Sequence, residues 1–286
     1  MQFTQDVRYK HTKLGSFYWY TTNDMVKKLI KLTVLLGVTC LINACSMTQF
    51  TETSASSSHH QHVTRADVIQ GKRVLLFTKT SKVRHKSINS AVQAFKQMAA
   101  KHAFVVDTTQ QASDFNPQNL NTYDAVVFIS TTGVLLNQQQ RQAFKQYIQQ
   151  GGGFMGIHGS SWCELDWPWF VKLVGGTFAS HPKIQAAKLI NLQPNGLAFN
   201  HLPATFQLTD EWYNFTNLNP DRTDILLLDE TSYQGGKHGN YHPIAWYQHY
   251  DGGKSFYTAL GHSGSSYFEP LMQTHLLDGL SFLVSD

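Results

Sequence analysis

The pattern of apolar and polar positions divides the chain into strand-length and helix-length segments from about residue 72 onward. Residues 73–77 (RVLLF) form a short continuous apolar run that ends in polar residues, the pattern of a strand buried on both faces. Ile88, Ala91, Val92, Phe95, Met98 and Ala99 recur at helical spacing, with Ser87 placed to cap the helix. Residues 104–106 and 125–129 (AVVFI) predict a second and third strand. Asn137 is placed to cap a helix whose Phe144, Tyr147 and Ile148 face inward. Gly151, Gly152 and Gly153 end that helix, and residues 154–157 form a fourth strand. Alternating helices and continuously apolar strands predict an α/β fold with a central, mainly parallel sheet covered on both faces. Beyond residue 184 the alternation loosens. Strands are expected at 184–190, 224–228, 243–247 and 255–260, and Leu271, Met272, His275, Leu276, Leu280 and Leu283 mark a closing amphipathic helix. The triple glycine follows a helix and precedes a strand, the reverse of the order in a phosphate-binding loop.

Polar residues cluster where these strands end. The first strand runs into Thr78-Lys79-Thr80 and then Arg84-His85; the third into Ser130-Thr131-Thr132-Gly133; the fourth into His158-Gly159-Ser160-Ser161; the strand at 255–260 into Gly261-His262-Ser263. Carboxyl ends of parallel strands share one edge, where open α/β sheets bind their ligands, so these segments predict one site. His158, at a strand end in a Gly/Ser run, suits a general base, a metal ligand or a sugar contact, against the alternative of a core histidine bonded to backbone. Arg84 and His85 suit an anionic or polyhydroxyl ligand as well as they suit a solvated loop. Asp166 beside Trp167, and Glu211 beside Trp212 and Tyr213, pair a carboxylate with aromatic faces, the composition of a sugar pocket. For Asp166 the alternative is a helix N-cap ahead of Pro168. Of the adjacent acids Asp210 and Glu211, an extended chain sends only one to the site, and Glu211 is the choice. The expected catalytic set is His158, Glu211, His262 and His85, with Arg84, Thr131, Asp166, Trp167, Trp212 and Tyr213 as substrate contacts. His158, His181 and His262 together with a carboxylate would also suit a divalent metal such as zinc, and the sequence leaves open whether a metal is bound.

Composition narrows the function. The 286 residues carry 23 Lys/Arg and 19 Asp/Glu, but six of the basic and two of the acidic residues lie in 1–44, so the body balances at 17 of each. A neutral body argues against a nucleic-acid partner. Three cysteines make neither a disulfide framework nor a zinc finger. From Met25, the lysines at 27, 28 and 31 precede an uncharged, mostly apolar stretch to Ala44. It is shorter than the roughly 20 residues of a membrane-spanning helix and matches a secretory signal. Leu41-Ile42-Asn43-Ala44-Cys45 resembles the lipobox of bacterial lipoproteins. That resemblance implies cleavage before Cys45, its acylation, and anchoring to the outer membrane, since Ser rather than Asp follows, with the protein facing the periplasm or the cell surface. The domains expected are an over-called upstream segment at 1–24, a signal peptide at 25–44, a Ser/Thr/Gln/His-rich tether at 45–68 and a folded domain at 69–286.

Taken in order, FTKT and RHKSI, YDAVVFISTTG, GGGFMGIHGSS, DWPWF, FASHP, TDEWYNF, HPIAWY and FYTALGH resemble the ThuA-like family, named for trehalose utilisation, over nearly the whole body. The resemblance implies a flavodoxin-like, class I glutamine amidotransferase-like fold and a role in carbohydrate catabolism, of keto-sugars or glycosides. The amidotransferases of this fold carry Gly-x-Cys-x-Gly at the strand-to-helix elbow. Here the run reads Gly156-Ile157-His158-Gly159-Ser160, with imidazole in place of the thiolate, which argues against glutaminase activity. Two expectations follow: an isomerase, lyase or hydrolase using acid/base chemistry at a His-rich pocket, or a non-catalytic carbohydrate-binding lipoprotein. A cysteine hydrolase using Cys163 is a third and weaker reading.

Overall fold

Five-residue apolar strands need helices on both faces, and the chain provides them. The computed structural model describes residues 65–193 and 199–285. The first half alternates: α1 (Arg65–Ile69), β1 (Arg73–Phe77), α2 (Ser87–His102), β2 (Val105–Thr109), α3 (Pro117–Leu120), β3 (Ala125–Ile129), α4 (Gln138–Gln149), β4 (Gly153–Ile157) and α5 (Pro168–Val174). A strand-rich half follows: β5 (Thr177–Ser180), β6 (Gln185–Asn191), β7 (Thr205–Asp210), β8 (Asn214–Thr216), β9 (Thr223–Leu228), β10 (His242–Tyr250) and β11 (Gly253–Thr258), closed by α6 (Pro270–Val284). Asn137 caps α4 in a reciprocal box with Gln140. Ser87, by contrast, is the first residue of α2 rather than its cap. Among the described residues no helix is long and apolar enough to cross a membrane.

Nine strands form one sheet in the order β2-β1-β3-β4-β11-β10-β9-β6-β7, and β5 pairs with β8 in a small second sheet. From β2 to β11 every pairing is parallel; from β11 to β7 every pairing is antiparallel. The parallel sheet expected from the apolar runs is therefore half of a mixed one. β7, missed in the sequence, alternates exposed and half-buried positions, as an edge strand does. Pro243 lies in β10 at a shift of register against β9, where a missing N–H is tolerated.

The pleat separates two layers. Phe154 packs with Phe144 and Phe170 of α4 and α5, at centroid distances of 6.0 and 5.5 Å. Its neighbour Met155 faces α6, where Gly279 allows close approach. Phe128 of β3 lies at the centre of this aromatic layer, 5.0 to 5.5 Å from Phe77, Phe144, Phe154 and Phe170. The tether expected to reach residue 68 gives way at Arg65 to α1. There the Arg65 guanidinium lies 2.8 Å from the buried Asp278 carboxylate on α6, and Ile69 is buried. The segments expected at 1–24 and 25–44 lie outside the described residues.

His275 of α6 is buried, its Nε2 3.0 Å from the Thr258 hydroxyl. Burial pushes its pKa down from 6.5 to about 3. Below pH 6.5 the unfolded chain takes up a proton that the folded chain refuses. This contribution to stability is complete above pH 6.5 and falls as the pH drops toward 3, by up to about 1.4 kcal/mol per pH unit. Urea unfolding at pH 7, 6, 5 and 4 should show that His275→Gln loses less stability on acidification than the parent, with a slope smaller by up to one proton.

Candidate functional site

The site is built on the turn after β4. His158 adopts a left-handed backbone, φ 49°, and opens a tight 3-10 turn, His158–Trp162. Gly156 makes room for it, since a Cβ there would stand 2.7 Å from the Ser160 hydroxyl. The His158 ring is fully buried, and its Nδ1 lies 2.8 Å from the carbonyl of Ala259, just beyond β11. A carbonyl only accepts, so Nδ1 carries a proton, and Nε2 turns toward the cluster. The Tyr213 hydroxyl lies 2.8 Å from that Nε2, and the two rings stack with centroids 4.4 Å apart.

One carboxylate organises the other side chains. Glu211 follows β7; its Oε2 is 3.5 Å from His158 Nε2 and 3.3 Å from His262 Nδ1, and its Oε1 is 3.2 Å from His181 Nδ1. The His85 ring stands edge-on to His158 and His262, at centroid distances of 4.8 and 5.7 Å. Asp210 points away and accepts the backbone N–H groups of Glu211, Gly261 and His262 at 2.8, 2.9 and 3.1 Å, tying the end of β7 to the loop after β11. Burial alone would raise the Glu211 pKa, but the interactions with His158 and His262 outweigh it and hold the carboxyl well below its usual range. The interaction with Glu211 raises His262. Burial, then the neighbouring His158 and His262, push His85 down to about 4. Adjacent imidazoles are thus driven in opposite directions.

A cleft of about 580 Å³ opens over this group. Its aromatic faces come from Trp162, Phe178 and Tyr213, and Arg84 and Lys86 bring positive charge. Of the expected catalytic set, His85, Glu211 and His262 line the cleft, and His158 lies behind Tyr213 and Glu211. Of the expected contacts, Arg84 and Tyr213 line it, the Arg84 guanidinium also donating to the Thr78 carbonyl at 2.7 Å. The other expected contacts lie elsewhere. Thr131 is fully buried and does not line the cleft. Asp166 is drawn 2.7 Å from Arg141, which also neutralises the buried Glu164, so it neither lines the cleft nor caps α5. Trp167 stacks on Trp169 and Phe170. Trp212 is buried on the opposite side from Glu211 and Tyr213, its indole donating to the Gln185 carbonyl at 2.9 Å. His181 joins the site through the second oxygen of Glu211. Cys163 is buried, and burial pushes its thiol up, which disfavours a nucleophilic thiolate.

Trp162, Phe178, Lys86 and His242 contribute to the site and were not singled out in the sequence. Trp162 could have been found as the aromatic closing the HGSSW segment, and Phe178 as the one opening FASH. His242 is buried and donates from Nε2 to the Tyr213 carbonyl at 2.8 Å, while its Nδ1 lies 2.7 Å from Glu230. It holds the backbone that carries Tyr213.

The family model described as "ThuA: Trehalose utilisation" matches residues 73–283. A ThuA-like protein from Bacteroides uniformis has a similar structure at 24% identity and a TM-score of 0.65, over 75% of this chain and 92% of that one. A ThuA-like protein from Parabacteroides merdae is similar at 17% identity and a TM-score of 0.63, over 76% and 91%. A cytoplasmic protein from Salmonella typhimurium shares the fold at 12% identity and a TM-score of 0.55, over 75% and 100%. No curated protein matches the chain.

The Asp210 bracket is testable. Asp210→Asn sets an amide donor against backbone N–H groups and should lower the unfolding free energy by about 1–3 kcal/mol. Chemical denaturation would read this as a lower midpoint with an unchanged slope.

Proposed function

The chain belongs to the ThuA family, and on that premise we propose that it acts on a carbohydrate, a keto-sugar or oxidised glycoside, by polarising a sugar oxygen and moving a proton at the histidine pocket. The observation that carries this reading is the placement of Glu211 among His158, His181 and His262 in a cleft walled by Trp162, Phe178 and Tyr213. Flat apolar faces suit a sugar ring, and the polar cluster suits its carbonyl. Proton abstraction beside a carbonyl needs an acceptor for the proton and a group that stabilises the oxygen as charge develops on it. An imidazole beside Glu211 takes the proton from carbon, and the cluster carries the negative charge left on the oxygen. Isomerisation, elimination and glycosidic cleavage can all begin with this step.

The test is a screen of keto-disaccharides and their unoxidised parents, read by product formation and, separately, by binding. His158→Ala should reduce turnover by at least about 100-fold while ligand affinity changes little. Sugar binding with no turnover in the parent protein would identify a carbohydrate-binding lipoprotein instead. Neither binding nor turnover would defeat the carbohydrate reading.

The lysines at 27, 28 and 31, the apolar stretch after them and the Leu-Ile-Asn-Ala-Cys run support an outer-membrane lipoprotein anchored through Cys45. These residues lie outside the described ones. Mass spectrometry of the N-terminal peptide from isolated membranes should find lipid on Cys45. An unmodified mature chain with another N-terminus would refute the anchor.

A further inference from the structure

We propose that His85, His158, Glu211 and His262 form a binding site for one divalent first-row metal ion, with Zn²⁺ as its best match. One donor atom from each of the four lies within 4.8 Å of all the others. Two of the separations fit ligands around a shared ion better than a short hydrogen bond. A carboxylate that pairs with imidazole by a charge-assisted hydrogen bond comes to about 2.7–2.9 Å. The protein makes such a pair elsewhere, with Glu230 Oε1 2.7 Å from His242 Nδ1. In the site the corresponding distances are 3.3 and 3.5 Å, too long for that bond. They match two ligands sharing an ion: donors about 2.1 Å from a tetrahedral centre stand about 3.4 Å apart.

Orientation agrees with spacing. The Ala259 carbonyl holds the His158 Nδ1 proton, the outer contact that aims Nε2 of a ligating histidine at its ion. Asp210 fixes the backbone of Glu211 and His262, so two ligands from distant strands are set by one carboxylate. The Nδ1 atoms of His85 and His262 are buried without a hydrogen-bond partner. The Tyr213 hydroxyl contacts the same His158 nitrogen and would yield it to the ion. Three imidazoles and one carboxylate, without a thiolate, favour a borderline ion such as Zn²⁺ over Mg²⁺ or Ca²⁺, which take all-oxygen shells.

The role of the ion rests on the carbohydrate reading, although its binding does not. His85, Glu211 and His262 line the cleft, so the ion would meet a sugar carbonyl there and polarise it as a Lewis acid. His181, 3.2 Å from the other oxygen of Glu211, is the imidazole left outside the ligand set to accept the proton.

The experiment uses the full chain made without a polyhistidine tag and carrying His59→Ala, His60→Ala and His62→Ala, which removes the imidazoles of the 59–62 segment. The protein is stripped with a chelator, titrated with Zn²⁺ by calorimetry and assayed for metal after dialysis, with no sugar present. One ion per chain at micromolar affinity or tighter is expected. Glu211→Gln, which keeps the shape of the side chain, should weaken binding by at least about 100-fold, His262→Ala likewise, and His249→Ala not at all. Circular dichroism confirms that each variant folds; Glu211→Gln decides the matter if His262→Ala does not. No stoichiometric binding, or binding unchanged in folded Glu211→Gln, overturns the proposal. Because the readout contains no sugar, failure here leaves the carbohydrate reading intact, and a failed sugar screen leaves the ion site intact.

Discussion

A carboxylate removed from water needs proton donors or positive charge around it, and the site is arranged to meet that need for Glu211. Three imidazoles come within 3.5 Å of its two oxygens, from the turn after β4, the end of β5 and the loop after β11. Each imidazole is in turn constrained by its other neighbours. The Ala259 carbonyl holds His158, and the Asp210 bracket holds the backbone of His262. Burial first, and then the neighbouring His158 and His262, depress the pKa of His85 at the edge of this group.

The mixed sheet is what makes this convergence possible. β11 runs parallel to β4 on one side and antiparallel to β10 on the other. It therefore ends at the same edge as β1, β3 and β4, and delivers Ala259 and His262 beside His158. The antiparallel extension then brings the end of β7, and Glu211 with it, back to this edge.

Polar burial beyond the cleft follows the same logic with different consequences. Glu230 lies 2.7 Å from His242, whose other ring nitrogen grips the Tyr213 backbone, supporting the site from behind. Glu164, fully buried, accepts the N–H groups of Leu135 and Leu136 and pairs with Arg141, locking the loop after β3 to the segment before α5. Asp166 belongs to this second network, and so a carboxylate beside tryptophans contributes to packing here rather than to ligand binding.

The sequence by itself determined the parallel half. Continuous apolar runs such as 125–129, short and bounded by polar residues, read as strands covered on both sides, and alternation with amphipathic helices orders them, so His85, His158 and His262 could be placed at one edge. The motif order carried the family. What only the tertiary structure decided was partnership: that Asp166 answers to Arg141, that Trp212 turns into the core while Glu211 and Tyr213 do not, that Trp162 and Phe178 wall the cleft, and that β7 joins the sheet. The reason is physical. Apolar periodicity is local and survives in any window of the chain, whereas the partner of a charge or an indole is chosen by distances of a few ångströms between segments up to 213 residues apart, and those distances exist only once the sheet has closed.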